Sequence, residues 1–213
     1  MEIVIVESGI SNARSLHRIL NIATPRSNIT TIVSGSKSSK STEPNIIFLP
    51  GVGSFGAGML KLRQNGLDEY LYDKAQKGSF IIGICLGMQL FSNRSEESTD
   101  SFGLNFIPGD VRKLNPQNER IPNVGWKGIV QEKSTSGLFQ LDQARDYYFT
   151  HSYFFSPLDP KSVIAWAHHG QHKFPAVIGL GNVIGFQFHV EKSGEAGIQL
   201  LRSVVEFVSE SVN

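Results

Sequence analysis

Hydrophobic and polar positions along the chain fall into two alternating patterns. Short apolar runs bounded by turn residues predict buried strands at residues 3–6, 29–33, 46–49, 79–84 and 183–188. Apolar residues at helical spacing predict helices at residues 13–22, 57–63, 67–76 and 200–208. Because strands and helices alternate through the first half, the predicted fold class is α/β, with an open, mostly parallel sheet covered by helices on both faces.

The second half has a different pattern, with shorter strands and more turn residues between them. Strands are predicted at residues 111–114, 128–131, 147–151, 163–167 and 176–180. A polar stretch at residues 34–45 predicts a mobile segment that is too short to link two domains. The length of 213 residues also suits a single core. We therefore expect one domain over residues 1–213, with a β-rich second half.

The most informative stretch is residues 83–89, Gly-Ile-Cys-Leu-Gly-Met-Gln, which follows a predicted strand and continues into good helix formers. It places Cys85, the only cysteine in the chain, between two glycines. A nucleophile on a tight strand-to-helix turn needs such small neighbours, and the N-terminus of the helix favours a thiolate. The alternative is a buried structural cysteine, so a base must be found elsewhere in the chain.

A candidate base lies at the end of the strand predicted for residues 183–188, which is followed by His189 and Glu191. In an extended chain, residues two apart share a face, so Glu191 is expected to hold the His189 ring. Together with Cys85 they supply a nucleophile, a base and an orienting carboxylate. The alternative is a surface histidine beside a solvated glutamate.

A glycine-rich turn at residues 50–56, Pro-Gly-Val-Gly-Ser-Phe-Gly, directly follows the strand predicted for residues 46–49. Such a turn can point bare backbone N–H groups at one spot, which is the geometry that an oxyanion hole requires. The turn is equally suited to a phosphate.

Other histidines offer competing sites. His151 is a rival base, but it has no carboxylate two residues away. The group His168, His169 and His172 is consistent with a metal site, because imidazoles are good zinc ligands. With the only cysteine already assigned and no acid nearby, a polar hairpin tip is the favoured interpretation, and no metal is expected.

Composition narrows the classes of partner and the compartment. The net charge is +1, with 40% hydrophobic and 18% charged residues and no long basic block, so neither nucleic acid nor an anionic membrane is an expected partner. A single cysteine cannot form an internal disulfide, which favours a reducing compartment. The first residues predict a strand and not a signal peptide, and no apolar run is long enough to span a bilayer. We therefore expect a cytoplasmic protein.

Taken together, the turn at residues 83–89 and the closing Phe188-His189-x-Glu191 motif resemble the class I, triad-type glutamine amidotransferases, nearly from end to end of the chain. Within that family the chain is most similar to the glutaminase subunits of imidazole glycerol phosphate synthase. The resemblance implies hydrolysis of glutamine through a thioester on Cys85, with no cofactor. It also implies an oxyanion hole formed at Gly51, Val52 and Leu86.

The same resemblance implies residues for the substrate and for a partner subunit. Contacts with glutamine are implied for Gly53, Gln89, Glu97, Ser152 and Tyr153. The implied partner is a cyclase subunit with a (β/α)8 barrel, which receives ammonia and forms imidazole glycerol phosphate in histidine biosynthesis. Residues implied at that heterodimer interface are Asn12, Trp126, Tyr148 and Lys192.

Two motifs depart from the family pattern. Residues 7–12 read Glu-Ser-Gly-Ile-Ser-Asn in place of Asp-Tyr-Gly-Met-Gly-Asn, and Val190 replaces the usual proline between the histidine and the glutamate. Proline restricts the residue before it, so its loss removes a constraint on His189. Three alternatives follow: a paralogous glutaminase subunit feeding another synthase, such as one that amidates a surface-polysaccharide sugar; a catalytically silent regulatory subunit; and a cysteine hydrolase acting alone.

Overall fold

The computed structural model describes residues 1–9, 11–35, 43–117, 119–132 and 138–212. The helices in these ranges are α1 (Ala13–Ala23), α2 (Phe55–Gln64), α3 (Leu67–Gln76), α4 (Leu86–Gln89) and α5 (Gly194–Ser211). None of these described helices combines the length and the apolar character that a membrane crossing requires. Most of the stretch predicted to be mobile, residues 34–45, lies outside the described residues.

The strands of the described ranges form one large sheet and two small ones. In chain order they are β1 (Glu2–Val6), β2 (Asn28–Ile32), β3 (Ile46–Gly51), β4 (Phe80–Cys85), β5 (Arg94–Ser95), β6 (Gly109–Lys113), β7 (Asn123–Lys127), β8 (Val130–Gln131), β9 (Tyr147–His151), β10 (Tyr153–Pro157), β11 (Val163–His169), β12 (His172–Leu180) and β13 (Val183–Phe186).

The large sheet carries the site. Among the described residues it has eight strands in the order β2-β1-β3-β4-β13-β12-β11-β8. The first five of these are parallel, and β12, β11 and β8 extend one edge in antiparallel fashion. The predicted mostly parallel sheet is therefore confirmed. Because β3, β4 and β13 are parallel neighbours, their carboxyl ends meet at the same edge, where open α/β sheets bind their ligands.

Consecutive side chains of a strand point to opposite faces of the sheet, and in the inner strands the side chains on both faces are apolar. Helices therefore cover both faces. On one face, Ile3 and Ile5 of β1 pack in a core with α1 and α5. On the other face, Val4 and Val6 pack in a core with α2, α3 and α4. The α/β prediction with helices on both faces is confirmed.

The second half is β-rich, as predicted, but several boundaries differ. Strands β7 and β10 were not predicted, and the strand predicted at residues 128–131 is reduced to β8. Strand β10 pairs with β6, and β7 pairs with β9, forming two small sheets beside the large one. The strand predicted to end at residue 188 ends at Phe186, and the good helix formers after Cys85 give only the short helix α4, which ends at Gln89.

Candidate active site

The turn between β4 and α4 has the conformation of a nucleophile elbow. Cys85 is the last residue of β4, with φ 54° and ψ −108°, a region that side chains with a Cβ rarely adopt. A Cβ on Gly87 would lie 1.7 Å from the backbone oxygen of Leu49, and one on Gly83 would lie 2.6 Å from the backbone of Gly87. Glycine is therefore needed on each side of Cys85 because β3, β4 and α4 leave no space there for a Cβ.

The glycine-rich turn lies directly beside the cysteine. Strand β3 pairs with β4 in parallel, and this register places Gly51 opposite Cys85. The chain then turns through Val52 and Gly53, whose φ of 98° favours glycine, before α2 begins at Phe55. The turn thus brings backbone of residues 51–53 to the nucleophile.

His189 and Glu191 form a hydrogen-bonded pair. His189 Nδ1 lies 2.8 Å from Glu191 Oε1, and both side chains are almost completely buried. The chain between them is not extended, as the sequence suggested, but is a 3-10 turn at Val190–Lys192. The predicted contact is present because this turn brings the carboxylate to the Nδ1 edge of the ring.

Hydrogen bonds hold both the backbone of His189 and the carboxylate that orients its ring. The backbone N–H of His189 donates to the carbonyl of Tyr148 at 2.8 Å, and the His189 carbonyl accepts from Ser193 Oγ at 2.7 Å. Asn12 Nδ2 donates to Glu191 Oε1 at 3.2 Å, which fixes the orienting carboxylate in turn. These bonds hold the base although Val190 replaces the family's proline.

The electrostatics of the pair favour a charged imidazole. Burial alone would lower the pKa of His189, but the adjacent Cys85 and Glu191 outweigh burial and raise this pKa to about 10. Burial alone would raise the pKa of Glu191, but its hydrogen bond with His189 lowers it. Within the described part of the chain, buried His189 Nε2 has no partner in hydrogen-bond geometry, so it remains available for a reacting proton.

A cavity of about 300 Å³ opens at the carboxyl ends of β3 and β4 and is large enough for a small ligand. It brings together predicted residues from both halves of the chain. Its wall consists of Val52, Gly53, Cys85, Leu86, Gln89, Glu97, Thr150, His151, Ser152, Tyr153, His189 and Lys192. Gly51, one of the residues predicted for the oxyanion hole, is buried and is not part of this wall.

Glu97 lies in a turn, and its carboxylate contacts the start of α2. Its Oε2 accepts a 2.7 Å hydrogen bond from the backbone N–H of Phe55, at the start of α2. Ser98 Oγ accepts the next N–H, from Gly56, at 3.2 Å. The predicted substrate residue therefore also caps the helix that follows the glycine-rich turn.

Sequence reasoning did not single out Gln187, which is completely buried beside the cysteine. Its Nε2 lies 3.9 Å from Cys85 Sγ, and its Oε1 accepts a 3.2 Å hydrogen bond from Gln89 Nε2. A polar residue inside the apolar run at residues 183–188 was the signal that could have found it, because buried strands rarely hold an amide without a partner.

His151, the rival base, is held in the neutral form. Its Nδ1 lies 2.8 Å from the Tyr153 carbonyl, and its Nε2 lies 2.9 Å from Asn123 Nδ2. Burial lowers the pKa of His151 to about 3. The Tyr153 carbonyl accepts a hydrogen bond from Nδ1–H, and the Asn123 amide donates one to Nε2. Both ring nitrogens are therefore engaged, and neutral His151 has no free lone pair to act as a base.

The group His168, His169 and His172 lies near the tip of the β11–β12 hairpin, where His169 pairs with His172. His169 Nε2 lies 2.8 Å from the Arg120 carbonyl, and the ring of His172 contacts that of Phe154. Across the described ranges, no group of three or more potential metal-ligating side chains comes together.

Three of the residues predicted for the partner interface form a cluster beside the cavity. Trp126 of β7 lies opposite Tyr148 of β9, with ring centroids 5.7 Å apart. Lys192 Nζ lies 5.5 Å from the centre of the Tyr148 ring. The fourth, Asn12, contacts Glu191 instead, so it connects the predicted interface to the base.

The chain belongs to the class I glutamine amidotransferases, and the model of that family matches residues 4–206. Relatives of this chain have names that are more specific than the family name. The protein of Oceanobacillus iheyensis named imidazole glycerol phosphate synthase subunit HisH is 38% identical over 207 residues, which cover 97% of this chain and 99% of that protein. The protein of the same name from Chlorobaculum tepidum is 35% identical over 205 residues, covering 96% and 100%.

A third relative, from Pseudomonas aeruginosa, is named imidazole glycerol phosphate synthase subunit HisH 2 and is 35% identical over 212 residues, covering 97% of this chain and 100% of that protein. Solved structures agree on the fold. PurLQS from Thermotoga maritima superimposes with a TM-score of 0.72 at 19% identity, covering 97% of this chain and 98% of that chain.

Proposed function

We propose that this chain is a glutaminase subunit that hydrolyses glutamine to glutamate and ammonia through a thioester on Cys85. The observation that carries the proposal is one cavity with Cys85 and the hydrogen-bonded His189–Glu191 pair in its wall. Membership of the amidotransferase family supports glutamine as the substrate.

The chemistry takes two steps. Cys85 Sγ attacks the side-chain amide carbon of glutamine, and as the carbon–nitrogen bond breaks, His189 donates a proton to the leaving ammonia. Water then attacks the thioester and loses a proton to His189, so that glutamate leaves and the thiolate is restored. Glu191 keeps the ring oriented and stabilises its charged form throughout.

Backbone N–H groups at Gly51, Val52 and Leu86 stabilise the oxyanion that develops in each step. Leu86 opens α4, and residues 51 and 52 lie in the turn next to Cys85. The amino-acid end of glutamine binds the far part of the cavity, where a carboxylate, an amide and hydroxyl groups are available to its charged ends. These residues are Gly53, Gln89, Glu97, Ser152 and Tyr153.

The ammonia passes to a second polypeptide. The names of the relatives support a cyclase subunit as the partner and imidazole glycerol phosphate, in histidine biosynthesis, as the product. We infer that this partner is a (β/α)8 barrel that docks on the surface of Asn12, Trp126, Tyr148 and Lys192. We infer that the subunit is a single domain, because strands from both halves of the chain share the large sheet. A cytoplasmic location is supported by the single cysteine, which cannot form an internal disulfide.

A second candidate function is a paralogous subunit that supplies ammonia to a different synthase. The departure at residues 7–12 favours it, because this segment leads into Asn12 at the proposed docking surface. In this alternative the chemistry at Cys85 is unchanged, and only the partner and the ammonia acceptor differ.

The test is glutamate release from glutamine by the purified chain, alone and with the cognate barrel cyclase plus its ribotide substrate. We expect low basal turnover that rises many-fold with the cyclase. The Cys85→Ala complex should lose glutamine-dependent synthesis and keep ammonia-dependent synthesis. Turnover that ignores the cyclase contradicts the pathway, whereas loss of both syntheses in a folded complex contradicts the assigned role of Cys85.

A further inference from the structure

We propose that Gln187 is a further residue of the catalytic machinery, which donates a hydrogen bond from its side-chain amide to Cys85 Sγ and stabilises the thiolate. Gln187 Nε2 is 3.9 Å from Sγ, within reach of a hydrogen bond to sulfur, and the side chain is completely buried. The proposal rests on the role of Cys85 as nucleophile proposed above.

The orientation of the Gln187 amide is fixed by its neighbours. Gln89 Nε2 donates one hydrogen to the Tyr153 carbonyl at 2.8 Å and the other to Gln187 Oε1 at 3.2 Å. A side-chain amide has one oxygen that accepts and one nitrogen that donates. Because the oxygen of Gln187 must face Gln89, its N–H group must face the sulfur.

The surroundings of the sulfur suit both protonation states. The thiol can donate to the carbonyl of Thr150, whose oxygen lies 3.9 Å from Sγ, whereas the thiolate can accept from Gln187. A hydrogen bond to an ionised group is stronger than one to a neutral group, so the amide favours the thiolate. Gln187 is thereby a contribution to the thiolate beside that of His189.

A purely structural role explains the position less well. Gln187 sits between Phe186 and Phe188 in an apolar run, and both rings are completely buried. An apolar side chain of the same length would fill that space without the cost of burying an amide. The hydrogen bond from its backbone N–H group to the Ala176 carbonyl, at 2.9 Å, needs no particular side chain.

The test uses the fact that Cys85 is the only cysteine, so that alkylation by iodoacetamide reports on this sulfur alone. The rate of alkylation is measured against pH for the wild type and for Gln187→Met, which keeps the length of the side chain and removes the donor. A second variant, Gln187→Leu, also removes the donor and places no charge beside the sulfur. Gln199→Met on α5 is the matched control for the substitution.

We expect both Gln187 variants to move the pH midpoint of alkylation upward by about one unit, so that the rate well below the midpoint falls about tenfold while the limiting rate at high pH is kept. Gln199→Met should match the wild type. An unchanged midpoint in whichever Gln187 variant folds would overturn the proposal. Because no glutamine is used, this result is independent of whether glutamine is the substrate.

Discussion

Buried polar side chains around the cavity hold their protonation states through hydrogen bonds. His189 is kept charged by its two acidic neighbours, and His151 is kept neutral by burial between a carbonyl and an amide. The wall of one cavity thus holds two imidazoles, one favoured in the charged form and the other in the neutral form. The sequence could identify His189 from its neighbour Glu191, but it could not show that His151 is engaged at both nitrogens, because Asn123 lies on another strand.

The neutral state of His151 predicts a specific dependence of stability on pH. Its pKa falls to about 3 in the folded protein, so between about pH 6.5 and pH 3 only the unfolded chain takes up this proton. The stability contributed by neutral His151 is therefore complete above that window and is lost as pH falls through it, by about 1.4 kcal/mol per pH unit at most.

Replacing His151 by glutamine, which cannot titrate, should flatten the fall in the free energy of unfolding over this window. Chemical denaturation at a series of pH values measures it, with His17→Gln on α1 as the matched control. Equal slopes for His151→Gln and the wild type would contradict the neutral, buried state of His151.

Contacts between secondary structure elements decide where the nucleophile and the substrate residues lie. Strand β3, strand β4 and helix α4 meet closely enough that glycine is required at residues 83 and 87. The pattern of glycines predicted this elbow and its strand. It did not predict β7 and β10, because these strands lie in small sheets, have mixed burial and lack a continuous apolar run.

The crowding at the elbow predicts that Gly87→Ala is severely destabilising. Its Cβ would lie 1.7 Å from the backbone oxygen of Leu49, and neither backbone can move without disturbing β3. We expect a loss of more than about 4 kcal/mol, which is a large part of the stability of a typical domain. Gly128→Ala is the control, since its nearest neighbour is 3.6 Å away. A melting temperature for Gly87→Ala equal to that of the control would argue against the close packing.

Glu97 has two proposed roles, as a cap of α2 and as a contact of glutamine. A single substitution can separate them. Glu97→Gln keeps an oxygen for the N–H of Phe55 but removes the charge that attracts the ammonium group of glutamine. We expect KM for glutamine to rise at least tenfold, since a hydrogen bond to a charged group contributes about 1.5–3 kcal/mol, and the melting temperature to change little.

Ser98→Ala is the counterpart, because it removes only the cap on Gly56. It should lower the free energy of unfolding by about 1 kcal/mol and leave KM close to that of the wild type. A Glu97→Gln variant with an unchanged KM would remove Glu97 from the glutamine site.

The molecule as a whole presents the cavity and the proposed docking surface at the same end. The exposed Trp126, with Tyr148 and Lys192, lies beside the cavity mouth, while Asn12 connects the other side of this surface to Glu191. Family resemblance supplied these four residues from the sequence. The link from Asn12 to Glu191 could not be foreseen, because it joins opposite ends of the chain.

This arrangement predicts that Trp126→Ala impairs the response to the partner and not the basal reaction. Exposed aromatic residues often dominate binding energy at interfaces, so we expect a loss of about 2 kcal/mol or more in affinity for the cyclase. Basal glutamate release should be unchanged. Val130→Ala, at an exposed apolar position on the edge strand β8, is the matched control. Equal affinities for the two variants would place the docking surface elsewhere.

The central claim is that Cys85 is the nucleophile in glutamine hydrolysis. The most direct test treats the purified protein with a chloroketone analogue of glutamine and locates the adduct by peptide mass spectrometry. We predict one equivalent on Cys85, loss of glutaminase activity in parallel, and protection by glutamine. Loss of activity without an adduct on Cys85, or labelling of Cys85 that glutamine does not slow, would contradict the account.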